Sequence, residues 1–172
     1  MRIWRQTSSG FPPLAIILTK VACIMKNVLT SLAVALLTFA AAASYGAAPS
    51  GWTDNYDKAL TEAKTSNKKV LLDFTGSDWC GWCMKLNKEV FSTAKFKEYA
   101  KQNLILVEAD FPQLKKLSKK VQDQNEKLKA QFGIKGYPTV FILDGDGKTL
   151  QQLGYMEGGP DAFIAKIEEA KK

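Results

Sequence analysis

The sequence predicts an α/β fold, in which a central mixed sheet of about four strands is flanked by helices. Two short apolar runs of the buried-strand type, at 70–74 and 104–107, are separated by a helical segment. A strand, a helix and a second strand in this order imply a right-handed parallel crossover. Two later strands, joined by a tight turn at 144–147, add an antiparallel hairpin. The sheet is therefore predicted to hold both parallel and antiparallel pairs.

The first 48 residues are typical of a leader rather than of the folded domain. Lys26 supplies a short positive region, residues 28–43 are apolar, and small residues follow where a signal peptidase cleaves. We expect a signal peptide, a true start at Met25 and one domain over residues 49–172. An uncleaved membrane anchor is the alternative, because the apolar run is close to the lower limit for spanning a bilayer. The leader predicts a periplasmic or secreted protein with no stable membrane span after cleavage.

Composition excludes several classes of function. The leader holds four of the 24 basic residues and none of the 17 acidic ones, which leaves 20 against 17, a net charge of +3. So small a charge argues against a nucleic-acid partner. The chain has no histidine, so histidine-dependent triads and metal sites are excluded. Of three cysteines, Cys23 lies in the leader, and Cys80 and Cys83 remain for the domain.

The first half of the domain alternates between helix and strand. Apolar residues at helical spacing predict a helix from Trp52 to Ser66, with Thr53 or Asp54 as its cap. Val70–Phe74 is the first strand, and a loop over 75–78 follows it. The next helix is predicted from Cys80 to about Lys101, and Leu104–Val107 is the second strand. The inward-facing candidates on that helix are Cys83, Leu86, Val90, Phe91 and Tyr99.

The second half is predicted to hold two helices around the hairpin. An amphipathic helix over 113–132 places Leu114, Leu117, Val121, Leu128 and Phe132 on one face, with its lysines as a solvated face. Thr139–Leu143 and Thr149–Leu153 are the strands of the hairpin. A final helix over 160–171 turns Phe163, Ile164 and Ile167 inward.

Cys80 and Cys83 stand where the first strand and its loop lead into a helix. A helix N-terminus presents unpaired N–H groups and the positive end of the helix dipole, so a thiol there loses its proton more easily. The thiolate is the nucleophile of disulfide exchange. We expect Cys80 to be exposed and to attack a substrate disulfide. Cys83, one turn further on the same face, is expected to lie deeper and to release the product.

Other uses of two nearby cysteines are less well supported. A zinc site of four Cys or His ligands is excluded within one chain, and Met84 stands where haem attachment needs histidine. A copper(I) carrier and an inert structural disulfide stay open as minor alternatives. We expect no metal and no cofactor.

The domain resembles the thioredoxin superfamily over most of residues 52–172, most closely the exported bacterial thioredoxin-like proteins. The segment Trp79-Cys80-Gly81-Trp82-Cys83 is similar to the thioredoxin active site. The later segment Gly136-Tyr137-Pro138-Thr139 is similar to the cis-proline loop of the family. The resemblance implies a thioredoxin fold, with the hairpin and the closing helix in the same order.

The resemblance also implies a role for each matching residue. Cys80 would attack and Cys83 would resolve, while Asp73 resembles the buried acid that helps to deprotonate the resolving cysteine; a strand-end acid with an ordinary partner is the alternative for Asp73. Pro138 would follow a cis bond, and the backbone at Tyr137 would pair with an extended substrate. The remaining substrate-binding residues would be Trp79, Gly81 and Trp82.

These observations predict a thiol–disulfide oxidoreductase that acts on exported proteins, as a reductase. Its partners would be protein disulfides and a membrane or exported thiol that donates electrons. A disulfide oxidase or isomerase is the catalytic alternative. A thioredoxin-fold binding protein, either a metal carrier or a chaperone, is the alternative without catalysis.

Overall fold

The computed structural model describes residues 48–170. The leader, the start at Met25 and Cys23 lie outside these residues and stay predictions. Within the described part of the chain, no helix is long and apolar enough to cross a membrane.

One mixed sheet of five strands organises the domain, in the order β1-β3-β2-β4-β5. Strands β1 and β2 both run parallel to β3, and β4 runs antiparallel to β2 and β5. The predicted α/β class and the mixed sheet are confirmed, with one strand more than expected. The strands are β1 (Trp52–Thr53), β2 (Lys69–Thr75), β3 (Leu104–Asp110), β4 (Thr139–Leu143) and β5 (Thr149–Leu153).

The extra strand corrects the prediction of a helix beginning at Trp52. Trp52 and Thr53 pair with β3, and helix α1 (Tyr56–Ser66) begins four residues later than expected. Its cap is Asn55, whose side chain accepts the Lys58 N–H at 3.0 Å. The prediction of Thr53 or Asp54 as the cap was therefore wrong, because pairing with the sheet takes Trp52 and Thr53 out of the helix.

The long helix predicted from Cys80 is divided into three parts. Helix α2 (Gly81–Leu86) passes into one π-helical turn (Asn87–Phe91), and helix α3 (Ala94–Asn103) starts afresh after Thr93. The Thr93 hydroxyl accepts the Phe96 N–H and so caps the new helix. The core residues of this region are Cys83, Leu86, Val90, Phe91, Phe96 and Ala100. Tyr99, an inward candidate, is only partly buried.

The helix predicted over 113–132 is shorter, since α4 spans Lys119–Gln131 and is capped by Ser118. Leu114 lies outside the helix and is 83% exposed, so its predicted place on the inward face was wrong. The cause is Asp78, whose carboxylate accepts the N–H groups of residues 113–115 and holds them in a loop.

The two faces of the sheet carry separate cores. Helices α1 and α4 cover one face, over a cluster that includes Val70, Leu72 and Phe74. The segment from α2 to α3 and the last helix, α5 (Gly159–Glu169), cover the other face, over Leu71 and Leu104. Since side chains alternate between faces along a strand, Asp73 points to the same side as Leu71, beneath α2.

Candidate active site

Cys80 and Cys83 form a disulfide at the start of α2, with their Cα atoms 5.2 Å apart. Cys80 is the N-cap of the helix, with an extended backbone, and its Sγ accepts the Cys83 N–H at 3.2 Å. The sulfur of Cys80 therefore occupies the place where a helix stabilises negative charge. The prediction of an exposed Cys80 is wrong for this disulfide form, because Cys80 is 7% exposed and Cys83 4%.

The loop that leads into α2 is held by hydrogen bonds within the loop and by others to the end of β3. Within the loop, the N–H groups of Trp79 and Cys80 donate to the Gly76 carbonyl at 3.2 and 2.8 Å. Across the loop, the buried carboxylate of Asp110 accepts the N–H and the hydroxyl of Ser77, at 2.9 and 2.7 Å. Lys115 completes this contact with an ion pair to Asp110 at 2.7 Å.

Asp78 makes a second connection between the loop and the segment that precedes α4. Its Oδ1 accepts the Gln113 N–H at 2.9 Å, and its Oδ2 accepts those of Leu114 and Lys115 at 2.8 and 3.1 Å. These bonds, with the one from Gln113 first, hold the pKa of Asp78 below its ordinary value. Sequence analysis missed Asp78 and Asp110, because Asp78 and the N–H groups that it accepts, and Asp110 and the Ser77 that it holds, are separated by more than 30 residues in the chain.

Two aromatic pairs flank the disulfide and leave an exposed apolar rim. The Trp79 indole N–H donates to the Phe111 carbonyl at 2.7 Å, and its ring meets that of Tyr137 edge-on at 5.8 Å. On the other side, the Trp82 ring lies 5.1 Å from that of Tyr155. Both tryptophans are exposed, as their predicted role in substrate binding requires.

The side with Trp82 and Tyr155 also carries charge. The Lys85 ammonium lies 5.2 Å from the Trp82 ring centre and 4.8 Å from that of Tyr155. The Tyr155 hydroxyl donates to Glu89 at 2.7 Å. Gly81, at the exposed first position of α2, has no atom within 4 Å of where a side chain would start. The surface next to the disulfide is therefore open at Gly81 and bounded by rings.

The Tyr137–Pro138 peptide bond is cis and leads directly into β4. Thr139, the first residue of that strand, pairs with Phe74 near the carboxyl end of β2, the end from which the active-site loop leaves. The contact of Tyr137 with Trp79 joins the two segments. The structure thus brings the predicted motif at 136–139 to the edge of the disulfide site.

A small cavity of about 50 Å³ lies beneath the disulfide and is bordered by Cys83, Asp73 and Glu108. Asp73 is 6% exposed, and its Oδ1 has no hydrogen-bond partner. Burial, and then the charges of Glu108 and Asp110, raise the pKa of Asp73 well above its ordinary value. The predicted placement of Asp73 inside the domain, near Cys83, agrees with this geometry, whereas Glu108 was not foreseen.

Comparison with known proteins places this geometry in a family. The thioredoxin-like domain matches residues 56–171. The chain belongs to the thioredoxin-like family. The disulfide bond reductase DsbH of Chlamydia pneumoniae is 37% identical over 119 residues, which are 69% of this chain and 72% of that protein. The thioredoxin-related protein DsbJ of the same organism is 29% identical over 103 residues, which are 60% of this chain but only 30% of DsbJ.

Solved structures agree with the assignment. A structure named DsbH oxidoreductase matches with a TM-score of 0.65 and 34% identity, over 74% of this chain and 91% of its own. A thioredoxin from Thermus thermophilus shares the fold with a TM-score of 0.54 at 16% identity, over 70% of this chain and 85% of its own. With the cysteine pair at the head of α2, the similarity to DsbH identifies the chain as a thiol–disulfide oxidoreductase. The predicted family, fold and enzyme class are confirmed.

Proposed function

We propose that this thioredoxin-like enzyme reduces disulfides in exported proteins, with Cys80 as the attacking and Cys83 as the resolving cysteine. The observation that carries the proposal is the Cys80–Cys83 disulfide at the N-terminus of α2. The reducing direction is supported by the similarity to a protein named as a disulfide bond reductase.

The cycle starts from the reduced pair. The Cys80 thiolate, stabilised by the first turn of α2, attacks one sulfur of the substrate disulfide and forms a mixed disulfide. The other substrate sulfur leaves as a thiolate and takes a proton from water. The Cys83 thiol then loses its proton and attacks the Cys80 sulfur. The Cys80–Cys83 bond forms, and the second substrate sulfur leaves as a thiolate that takes a proton from water. Two electrons have then passed to the substrate.

Asp73 is proposed as the group that takes the proton of Cys83. It borders the same cavity as Cys83, and its Oδ1 has no other partner. A buried carboxylate is a stronger base than an exposed one, because burial disfavours the charged form. Asp73 therefore suits a thiol, which ionises at higher pH than an ordinary carboxyl group.

The substrate is proposed to bind as an extended segment over the exposed rim. Trp79 and Trp82 would pack against apolar residues around the substrate cysteine, and the open surface at Gly81 would admit its backbone. The backbone at Tyr137, fixed by the cis bond to Pro138, would hydrogen-bond to the segment in the manner of an added strand.

The proposed location is outside the cytoplasm, as the leader predicts. Each turnover leaves the Cys80–Cys83 disulfide oxidised. The cytosolic pools that keep thiols reduced do not act outside the cytoplasm, so a separate donor must reduce this disulfide again. The proposed donor is a membrane or exported protein with a thiol pair.

Reduction of insulin by dithiothreitol tests the cysteine assignments. We expect Cys80→Ser to abolish turnover, because the attacking thiol at the start of α2 is lost, and Cys83→Ser to accumulate mixed disulfides that non-reducing gels reveal. Glu62→Gln, an exposed change on α1, is the control and should retain full turnover. If both site variants turned over like the control, the assignment would be wrong.

The reduction potential of the pair tests the direction. A value near that of thioredoxin, about −270 mV, supports a reductase, whereas one near that of DsbA, about −120 mV, would make the protein an oxidase. Equilibration with glutathione or dithiothreitol buffers, read by alkylation of the free thiols, measures it.

A further inference from the structure

Glu108 stands beside Asp73 in the sheet. The two residues are direct partners in the parallel pairing of β2 with β3. Neighbouring residues in register project to the same face, so both carboxyl groups lie on the side of the sheet that α2 covers. On that side, Leu71 and Leu104 pack in the core, which makes two acidic residues there exceptional.

Both carboxyl groups border the cavity beneath Cys83. The cavity is about 50 Å³, and the uncharged residues around it are Pro49, Trp52, Thr75, Ser77, Met84, Asn87 and Phe91. This volume can hold a water molecule, and the polar groups of Asp73, Glu108 and Thr75 could bind one. Asp73, which is 6% exposed and has no hydrogen-bond partner at Oδ1, thus borders a small polar space together with a second acidic residue.

The two acids differ in their access to solvent. Asp73 is buried beneath α2, whereas Glu108 is only partly buried. Of the two carboxyl groups at the cavity, Glu108 is therefore the one with the greater contact with solvent.

Burial, and after it the charges nearby, raise the pKa of both carboxyl groups. Burial, and then the negative charge of Asp110, raise the pKa of Glu108 to about 7; the charge of Lys115 opposes this shift and that of Asp54 adds to it. The pKa of Asp73 is raised by burial, and then by the charges of Glu108 and Asp110. In the reduced protein, the Cys83 thiol is the remaining proton donor at the cavity. At neutral pH, Glu108 is thus poised to take up or release a proton.

We propose that Glu108 exchanges protons with Asp73 across the cavity and carries the proton of Cys83 to solvent. The proposal rests on the role proposed above for Asp73. Glu108 acts on the reaction only through Asp73, from which it receives the proton. It is therefore a positioning residue rather than a catalytic one.

The proton balance of the resolving step follows. The S–H bond of Cys83 breaks, and its proton passes to the Asp73 carboxylate while the Cys83 sulfur displaces the substrate thiolate from Cys80. Asp73 then passes its proton to the Glu108 carboxylate, which releases it to water. Asp73 is again ionised for the next cycle, and no oxidant beyond the substrate disulfide is needed.

Carbon-13 NMR titration of the side-chain carboxyl groups tests the coupling in the oxidised protein. Glu108→Gln removes a neighbouring negative charge at constant shape, so the midpoint of Asp73 should fall by about 1 pH unit or more. Glu108→Asp should restore much of the shift. The matched control is Glu62→Gln, on exposed α1 across the sheet, which should leave the midpoint unchanged. An unchanged midpoint in Glu108→Gln would overturn the proposal.

Single-turnover release from a peptide mixed disulfide, followed by acid quench across pH 5–9, tests the proton path. Asp73→Asn and Glu108→Gln should each slow release roughly 10-fold near neutral pH. The double variant should be no slower than Asp73→Asn, since both groups carry the same proton. Independent, multiplying effects would contradict the shared path.

The same measurement separates this inference from the proposed function. If Asp73→Asn is slow but Glu108→Gln follows the wild-type pH profile, only the role of Glu108 is overturned. If Asp73→Asn releases substrate at the wild-type rate while the cysteine variants are inactive, the assignment of Asp73 as base fails, and the role of Glu108 fails with it.

Discussion

Asp78 shows how one side chain can hold the active-site loop in place. Its two carboxylate oxygens accept three backbone N–H groups from residues 113–115. Asp78→Asn keeps the shape but leaves one acceptor oxygen and introduces an NH₂ group, which cannot accept from an N–H. We expect the loop to loosen at Trp79 and the turnover of insulin to fall by roughly 10-fold, since small displacements at a reacting site are costly.

The matched control for Asp78 is Asp57→Asn, an exposed change in the first turn of α1. Hydrogen exchange of the amides at 113–115 gives a second measurement. Faster exchange is expected in Asp78→Asn alone. Equal exchange and equal turnover in both variants would show that the three bonds do not position the loop.

At the scale of single residues, the sequence predicts the reacting groups better than the groups that support them. Cys80 and Cys83 are close in the chain, so their spacing before a helix already indicates a disulfide. Asp78 and Glu108 acquire their partners only when the loop meets the segment before α4, and when β2 meets β3. Neither contact leaves a local pattern in the sequence.

At the scale of elements, Thr93 decides where α3 begins. Its hydroxyl accepts the Phe96 N–H at 3.3 Å and donates to the Val90 carbonyl at 2.7 Å. Removing a Thr cap costs about 1 kcal/mol of stability. We expect Thr93→Ala to lower the free energy of unfolding by that amount in urea titrations and Thr93→Ser to retain most of it. The control Thr61→Ala, on the exposed face of α1, should change stability little.

The interrupted helix shows the limit of periodicity as a guide. Apolar residues continue at nearly helical spacing from Cys83 through Phe96, so the pattern predicts one helix. The π-helical turn adds one residue and shifts the inward face, which is why Phe96 and Ala100 are buried rather than Tyr99. Ser92 and Thr93, both good caps, were the available local signal for the break.

At the scale of the whole molecule, two connections of the sheet follow from general rules, whereas strand β1 and the pairing of β4 with β2 do not. The crossover from β2 to β3 and the hairpin of β4 with β5 are local in sequence and were predicted. Strand β1 has two residues and exists through its pairing with β3. Its small size leaves no periodicity from which a strand could be inferred.

The buried acids also make the stability of the whole molecule depend on pH. The pKa of Glu108 is raised from 4.5 to about 7 in the folded protein, so between these values the folded state binds more protons than the unfolded state. Stability must then fall as pH rises from 4.5 to 7, and the raised pKa of Asp73 acts in the same direction. The lowered pKa of Asp78 has the opposite effect on stability, which it makes rise with pH, but only at pH values below the ordinary pKa of 3.8.

Urea unfolding of the oxidised protein at several pH values measures this dependence. Glu108→Gln should flatten the decline of the free energy of unfolding between pH 4.5 and 7, because this variant has no carboxyl group at 108 to take up a proton on folding. The control Glu62→Gln should keep the wild-type slope. The slope, rather than the stability at one pH, is the informative quantity, since any change of packing shifts all values together. Equal slopes for wild type and Glu108→Gln would mean that Glu108 ionises alike in the folded and unfolded protein, and that the cavity beneath Cys83 does not hold its proton.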